Sequence, residues 1–122
     1  DIAAYVLCFD TVDNDTYILL PRFFMPKENI RQRSKEDRMP YELWASQGLI
    51  TLTNGDIIDF DIIESSILQD AKDFEIIEIA YDPWKAIEII THLESKGFKM
   101  QQVRQSLQSD VCLKVLLYLK KQ

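Results

Sequence analysis

Unbroken apolar runs alternate with segments of helical periodicity along this chain, and the alternation predicts a mixed sheet with flanking helices. Ile2 to Phe9 is an unbroken apolar run and reads as a buried strand. Tyr17 to Phe24 is a second, rich in aromatic and branched residues, and Asp10 to Asp15 between them supplies turn chemistry, so the two form a hairpin. The polar segment from Pro26 to Arg38 has helical potential, and Pro40 followed by Tyr41 to Gln47 reads as a short helix stopped by Gly48. Leu49 to Thr53 and Asp56 to Asp59 flank Asn54-Gly55, a pair suited to the positive φ of a two-residue turn, and predict a small peripheral hairpin.

From Phe60 the period changes. Phe60, Ile63, Ile67, Ala71 and Phe74 recur at helical spacing, with Asp59 or Asp61 as the N-cap, the latter followed by Glu64 three residues on. Glu75 to Tyr81 then reads as a buried strand. Pro83 to Lys96 reads as a helix whose Trp84, Ile87, Ile90 and Leu93 face the core, with Gly97 as its C-cap. Lys99 to Val103 is a short strand, so strand, helix and strand from Glu75 form a parallel crossover unit, right-handed in nearly all cases. Asp110 to Leu119 predicts a closing helix, with Lys120 and Lys121 suited to its negative end.

At 122 residues the chain has room for one domain, residues 1–122, with a single core. No apolar run approaches the roughly 20 residues a membrane span needs, and no signal peptide opens the chain, so the expected location is the cytoplasm. Cys8 and Cys112 form no CxxC pair and read as two small buried hydrophobes. His92 sits within a helical pattern with no serine or cysteine at a catalytic spacing and reads as a solvated or half-buried helix residue. Phosphate loops, dinucleotide fingerprints, HExxH helices and GxSxG elbows are absent, which leaves carboxylate and metal chemistry.

Tyr81-Asp82-Pro83-Trp84 is where that chemistry can reside. Asp82 falls where a buried strand gives way to a helix, beyond the strand's carboxyl end, the place at which open α/β sheets usually bind ligands. The simpler alternative is an N-cap for the following helix, and one carboxylate can serve both purposes. The net charge of −6 disfavours nucleic-acid binding over the whole surface. Within it, Lys27, Arg31, Arg33, Lys35 and Arg38 cluster, with Glu28, Glu36 and Asp37 among them. A solvated helix face and a phosphate-backbone contact both fit that pattern.

Several of these segments, in this order, resemble the nuclease domain of the large terminase subunit of tailed phages. They are Ile2 to Phe9, the return Tyr17-Ile18-Leu19-Leu20-Pro21-Arg22-Phe23-Phe24, Pro40-Tyr41-Glu42-Leu43-Trp44 running to Gly48-Leu49-Ile50, Asn54-Gly55 with Asp59, and Tyr81-Asp82-Pro83-Trp84. The resemblance runs from Asp1 to about Arg104. It implies an RNase H-like α/β fold, a mixed sheet with flanking helices, in the DNA-cutting domain of a packaging motor. Asp82 matches the family's acidic ligand at the end of the central crossover strand, for Mg2+ or Mn2+. The implied partners are double-stranded DNA, the small terminase subunit and the portal.

Two departures accompany the resemblance. The family's first metal aspartate lies on a strand before the position of Asp1, and its last acidic ligand lies beyond Gln122; neither Asp1 nor Asp110 matches them. The expectation is a fragment of the nuclease domain that lacks its first strand and cuts little or no DNA on its own. The missing strand belongs between Ile2 to Phe9 and Glu75 to Tyr81, which should leave unpaired backbone or force those neighbours to re-pair, and an exposed edge would favour self-association. The competing expectation is a non-catalytic RNase H-like remnant or protein-interaction module. An RNase H-like nuclease of another kind, such as a recombination enzyme, fits the Tyr41 to Trp44 and Asn54 to Asp59 segments less well.

Overall fold

A computed structural model describes residues 2–11, 16–82 and 87–103, together with the backbone of Val115–Lys120. Its centre is a six-stranded mixed sheet in the order β3-β2-β1-β6-β4-β5. The strands are β1 Ala3–Asp10, β2 Tyr17–Pro26, β3 Ile50–Thr53, β4 Glu75–Tyr81, β5 Met100–Gln102 and β6 Val115–Lys120. The helices are α1 Ile30–Asp37, α2 Tyr41–Ser46, α3 Phe60–Asp73 and α4 Ile87–Ser95.

The apolar run of β1 is buried from Ala3 to Cys8 because it lies inside the sheet with both faces covered. It pairs antiparallel with β2, with Ala3 opposite Phe24 and Asp10 opposite Tyr17, as the hairpin pattern predicts. Opposed residues share a face, so Ala3, Tyr5, Leu7 and Phe24 point one way. They join Ile63 and Ile67 of α3, Ile79 of β4 and Ile89, Ile90 and Leu93 of α4 in the main core. Each of the larger aliphatic side chains contributes about 2 kcal/mol on burial. Met25, next along β2 from Phe24, turns to the opposite face, where Tyr41 and Ile50 complete a second cluster under α1 and α2.

The predicted crossover is present: β4 and β5 are parallel, with Ile79 opposite Met100 and Tyr81 opposite Gln102. Asp59 is the N-cap of α3, accepting a hydrogen bond from the Asp61 amide at 3.0 Å. Gly97, at φ 95°, closes α4, and the Phe98 amide returns to the Leu93 carbonyl at 3.1 Å. The first turn expected for this helix, with Trp84, falls on residues 83–86, outside the described residues.

Three expectations are corrected. Leu49 to Thr53 does form a strand, but β3 runs parallel to β2 and no return strand follows Asn54-Gly55. The Lys27 amide bonds the Thr53 carbonyl at 2.7 Å and the Glu28 amide bonds the Gly55 carbonyl at 3.1 Å, which ties the turn to the end of β2. Ile58 is then drawn into the main core and Asp59 into its capping position, so tertiary contacts override the local hairpin signal. Ile87 is 74% exposed instead of facing the core, and Ile89 takes its place. Finally, Val115–Lys120, expected within a helix, is strand β6. Its Val-Leu-Leu-Tyr-Leu run is continuously apolar, which suits a strand covered on both faces as well as it suits a helix.

β6 occupies the position between β1 and β4 where unpaired backbone was expected. It runs parallel to β1, with Tyr5 opposite Val115, and antiparallel to β4, with Tyr81 opposite Val115. The two neighbours are thus joined through a strand from the other end of the chain.

Candidate active site

The registers of five strands place Arg22, Tyr5, Val115, Tyr81 and Gln102 in one transverse row. Asp82 lies one residue beyond that row and is half-buried. The Tyr81 carbonyl accepts a hydrogen bond from the Val103 amide at 2.8 Å, so the backbone leading into Asp82 is held by the ladder up to its last residue. The carboxyl ends of β2, β3, β4 and β5 all reach this end of the sheet, and β1 begins there. Asp82 therefore stands directly after the end of β4, where the sequence put it.

On the far side of the same end, β2 runs out through Pro26 into Lys27 and α1. Three strand spacings of about 4.8 Å and four residues of rise put Lys27 on the order of 20 Å from Asp82. Asp59 caps α3 through one carboxylate oxygen, and no group of three or more His, Cys, Asp or Glu able to hold a metal exists among the described residues. One carboxylate does not fill the shell of a magnesium pair, so the described residues alone are an incomplete match to such a centre. Asp1 and Asp110 lie outside the described residues.

The other titratable candidates resolve simply. Cys8 is buried, and burial, then nearby Asp10, raises its thiol pKa, as expected of an inert core cysteine. Cys112 falls outside the described residues. His92 is half-exposed on α4, its Nδ1 3.2 Å from Glu64 Oε1 on α3, and the nearby Ser95 hydroxyl donates to the His92 backbone carbonyl at 2.6 Å, not to its ring.

Sequence reasoning missed a polar network inside the main core. Arg22 on β2 donates from Nε to Asp70 Oδ2 at 2.8 Å and from Nη2 to Oδ1 at 2.7 Å, a two-pronged pair. Tyr5 of β1 donates to the same Oδ2 at 2.5 Å, which leaves the Ser66 hydroxyl, 2.6 Å from the phenol oxygen, to donate to Tyr5. Asp70 is 5% exposed, so its charge depends on these donors. A signal for it exists: Ile63, Ile67, Asp70 and Phe74 share one helical face, and a carboxylate there needs a partner.

The mixed sheet, with helices packed on it and a carboxylate at the end of its crossover strand, defines an RNase H-like α/β fold. The chain's structure superposes on the crystal structure of the HK97 bacteriophage large terminase with a TM-score of 0.70, at 21% identity over 86% of this chain and 25% of that one. Residues 1–111 match the family of terminase large subunit endonuclease domains, and the chain belongs to that family. It is 26% identical over 103 residues to the terminase large subunit of Enterobacteria phage HK97, which covers 84% of this chain. The chain spans 20% of that relative's length. No helix among the described residues is long and apolar enough to cross a membrane.

Proposed function

We propose that this chain is a metal-dependent DNA endonuclease domain of a phage packaging terminase, with Asp82 as a ligand to Mg2+ or Mn2+. The observation that carries the proposal is the position of Asp82, directly after the last ladder bond of the crossover strand in a sheet of this family. A bound divalent ion would activate water and stabilise the leaving oxygen of a phosphodiester. The chain's own contribution is to hold the Asp82 carboxylate in place: the Tyr81 carbonyl is pinned to β5 and the strand beneath it is paired on both sides. Double-stranded DNA is the substrate, the small terminase subunit and the portal are the packaging partners, and the bacterial cytoplasm is the place of action.

Among the described residues no three-ligand cluster forms around Asp82, and the expected outcome is weak or no DNA cutting by this chain on its own. Two measurements test this. When Mn2+ is titrated into the 15N-labelled chain, the amide signals of Tyr81, Asp82 and Val103 should broaden first, and Asp82→Asn should abolish that selectivity. Broadening that ignores the substitution excludes Asp82 as a ligand. In a plasmid-nicking assay with Mg2+ or Mn2+, robust cutting that survives Asp82→Ala would remove Asp82 from the mechanism.

A second reading, a non-catalytic module that binds a packaging protein, is favoured by the lack of a three-ligand cluster among the described residues. It predicts no Asp82-dependent metal signature.

A further inference from the structure

We propose that α1 and its flanks form a contact for the phosphate backbone of duplex DNA, carried by Lys35 and Arg38 with Lys27 and Arg31 beside them. The inference rests on the endonuclease reading for the identity of the polymer. Its physical basis is the way this helix is built.

α1 buries no residue of its own, and its contribution to packing is Ile30 at its first turn, which leans on the cluster of Met25, Tyr41 and Ile50. A helix that is polar nearly all round needs another reason to be held in place. It is nonetheless held on its approach, where the Lys27 and Glu28 amides bond the Thr53 and Gly55 carbonyls, and at its last turn. The Arg38 amide returns to the Ser34 carbonyl, the Met39 amide bonds the same carbonyl at 3.1 Å, and the Tyr41 hydroxyl donates to Asp37 at 2.8 Å. These contacts fix the inner side and leave the outer side to solvent.

On that outer side, positions 31, 35 and 38 fall at i, i+4 and i+7 and line one face. Two of the acidic residues mixed among them in sequence accept hydrogen bonds from neutral donors, while Glu28 stays beside Lys27. Asp37 is taken by Tyr41, and Glu36 accepts from the Gln32 amide at 2.8 Å. Arg31 reaches Glu42 at 3.5 Å in an exposed pair, which is weak and open to exchange. Lys27, Lys35 and Arg38 have no ion-pair partner among the described residues. Arg31, Lys35 and Arg38 thus set three cations along one line of an otherwise mixed-charge helix. From position 31 to 38 it spans roughly 10 Å, the axial length of about three phosphates of one DNA strand.

Arg38 adds an independent observation. It is the C-cap of α1 at φ 55°, ψ 42°, the left-handed conformation that glycine adopts freely and a β-carbon resists. Backbone economy favours glycine there, as at Gly48 and Gly97, whose φ values are also positive. A non-glycine residue there carries backbone strain, and it sits at the end of the line that Arg31 and Lys35 begin. The location fits as well. α1 leaves β2 at the sheet end that carries Asp82, on the order of 20 Å away, so one duplex lying across that end reaches both.

The test is binding of a labelled 30-base-pair duplex by the whole chain, followed by fluorescence anisotropy over a salt series. The double variant Lys35→Ala, Arg38→Gly should weaken binding on any sequence and flatten the slope of log affinity against log salt by about 2. A control of equal charge loss, Lys72→Ala with Lys99→Ala, should leave the slope unchanged. Arg38→Gly alone should keep or raise the melting temperature while lowering affinity, which a merely structural arginine would not do. A parent slope near zero, or a control pair that flattens it as much as the α1 pair, overturns the proposal. If the α1 pair leaves the slope intact while Asp82→Asn still loses the Mn2+ signature, the DNA contact fails and the endonuclease reading stands. The reverse result keeps the contact and removes the metal role.

Discussion

Asp70→Ala is expected to destabilise the chain by about 3 kcal/mol, lowering its melting temperature by roughly 10 °C, because it strands two donors at once. Arg22 loses both of its hydrogen bonds and the Tyr5 hydroxyl loses its acceptor. Breaking a buried ion pair costs about 3–5 kcal/mol, and the Arg22 side chain, 35% exposed, recovers part of that from water, which places the loss at the lower end. Thermal unfolding followed by circular dichroism measures it, and a shift of under about 3 °C would show that the network contributes little. The same network sets an alkaline limit. Burial, then the hydrogen bond to Asp70, raises the Tyr5 phenol pKa well above its ordinary 10.0. The folded state therefore holds a proton that the unfolded chain releases once the pH passes about 10. Stability from this group is complete below that pH and falls as the pH rises above it. Tyr5→Phe should flatten the decline, leaving the smaller share of Tyr41, whose phenol pKa is raised by its hydrogen bond to Asp37.

That network also shows where the sequence is readable and where it is not. Elements set by local pattern are legible: the β1–β2 hairpin, the capping of α3 by Asp59, the crossover from β4 to β5 and the stop at Gly97 all follow from run length, period and turn chemistry. Asp82 is legible for the same reason, since its place depends on one strand end. Arg22 and Tyr5 lie 48 and 65 positions from Asp70 along the chain, and no local pattern pairs a charge in one strand with a carboxylate on a later helix. Asn54-Gly55 failed in a related way. The turn has its positive φ at Gly55, but the path of the chain beyond it is decided by Ile58 and Asp59, which the core and α3 claim. For Val115–Lys120, a short apolar run is ambiguous between helix and strand until a neighbour is known. Here the neighbours, β1 and β4, supply ladders on both sides.

The largest effect is expected from removing β6. Deleting residues 115–122 should abolish cooperative unfolding and drive the chain to self-associate, seen as a loss of the sharp denaturation transition and as added mass in light scattering. β6 joins β3-β2-β1 to β4-β5 along the ladder; without it the two parts meet through the helices packed over them. The deletion strips hydrogen bonds from Tyr5 to Phe9 on one side and from Glu75 to Tyr81 on the other. About ten ladder bonds at about 1 kcal/mol each amount to roughly 10 kcal/mol, as much as the whole stability of an ordinary domain. β1 is buried on both faces and has no charged residue between Ala3 and Phe9 to discourage edge pairing, so its freed edge is a template for another chain. A deleted chain that stays monomeric and melts cooperatively within a few degrees of the parent would show that β6 does not hold the two halves together. The consequence reaches the site as well. Asp82 lies on the β4 side of this strand and α1 on the β2 side, so β6 sets the span between the carboxylate and the basic helix. Any duplex that touches both is measured against the width of this strand and its two neighbours.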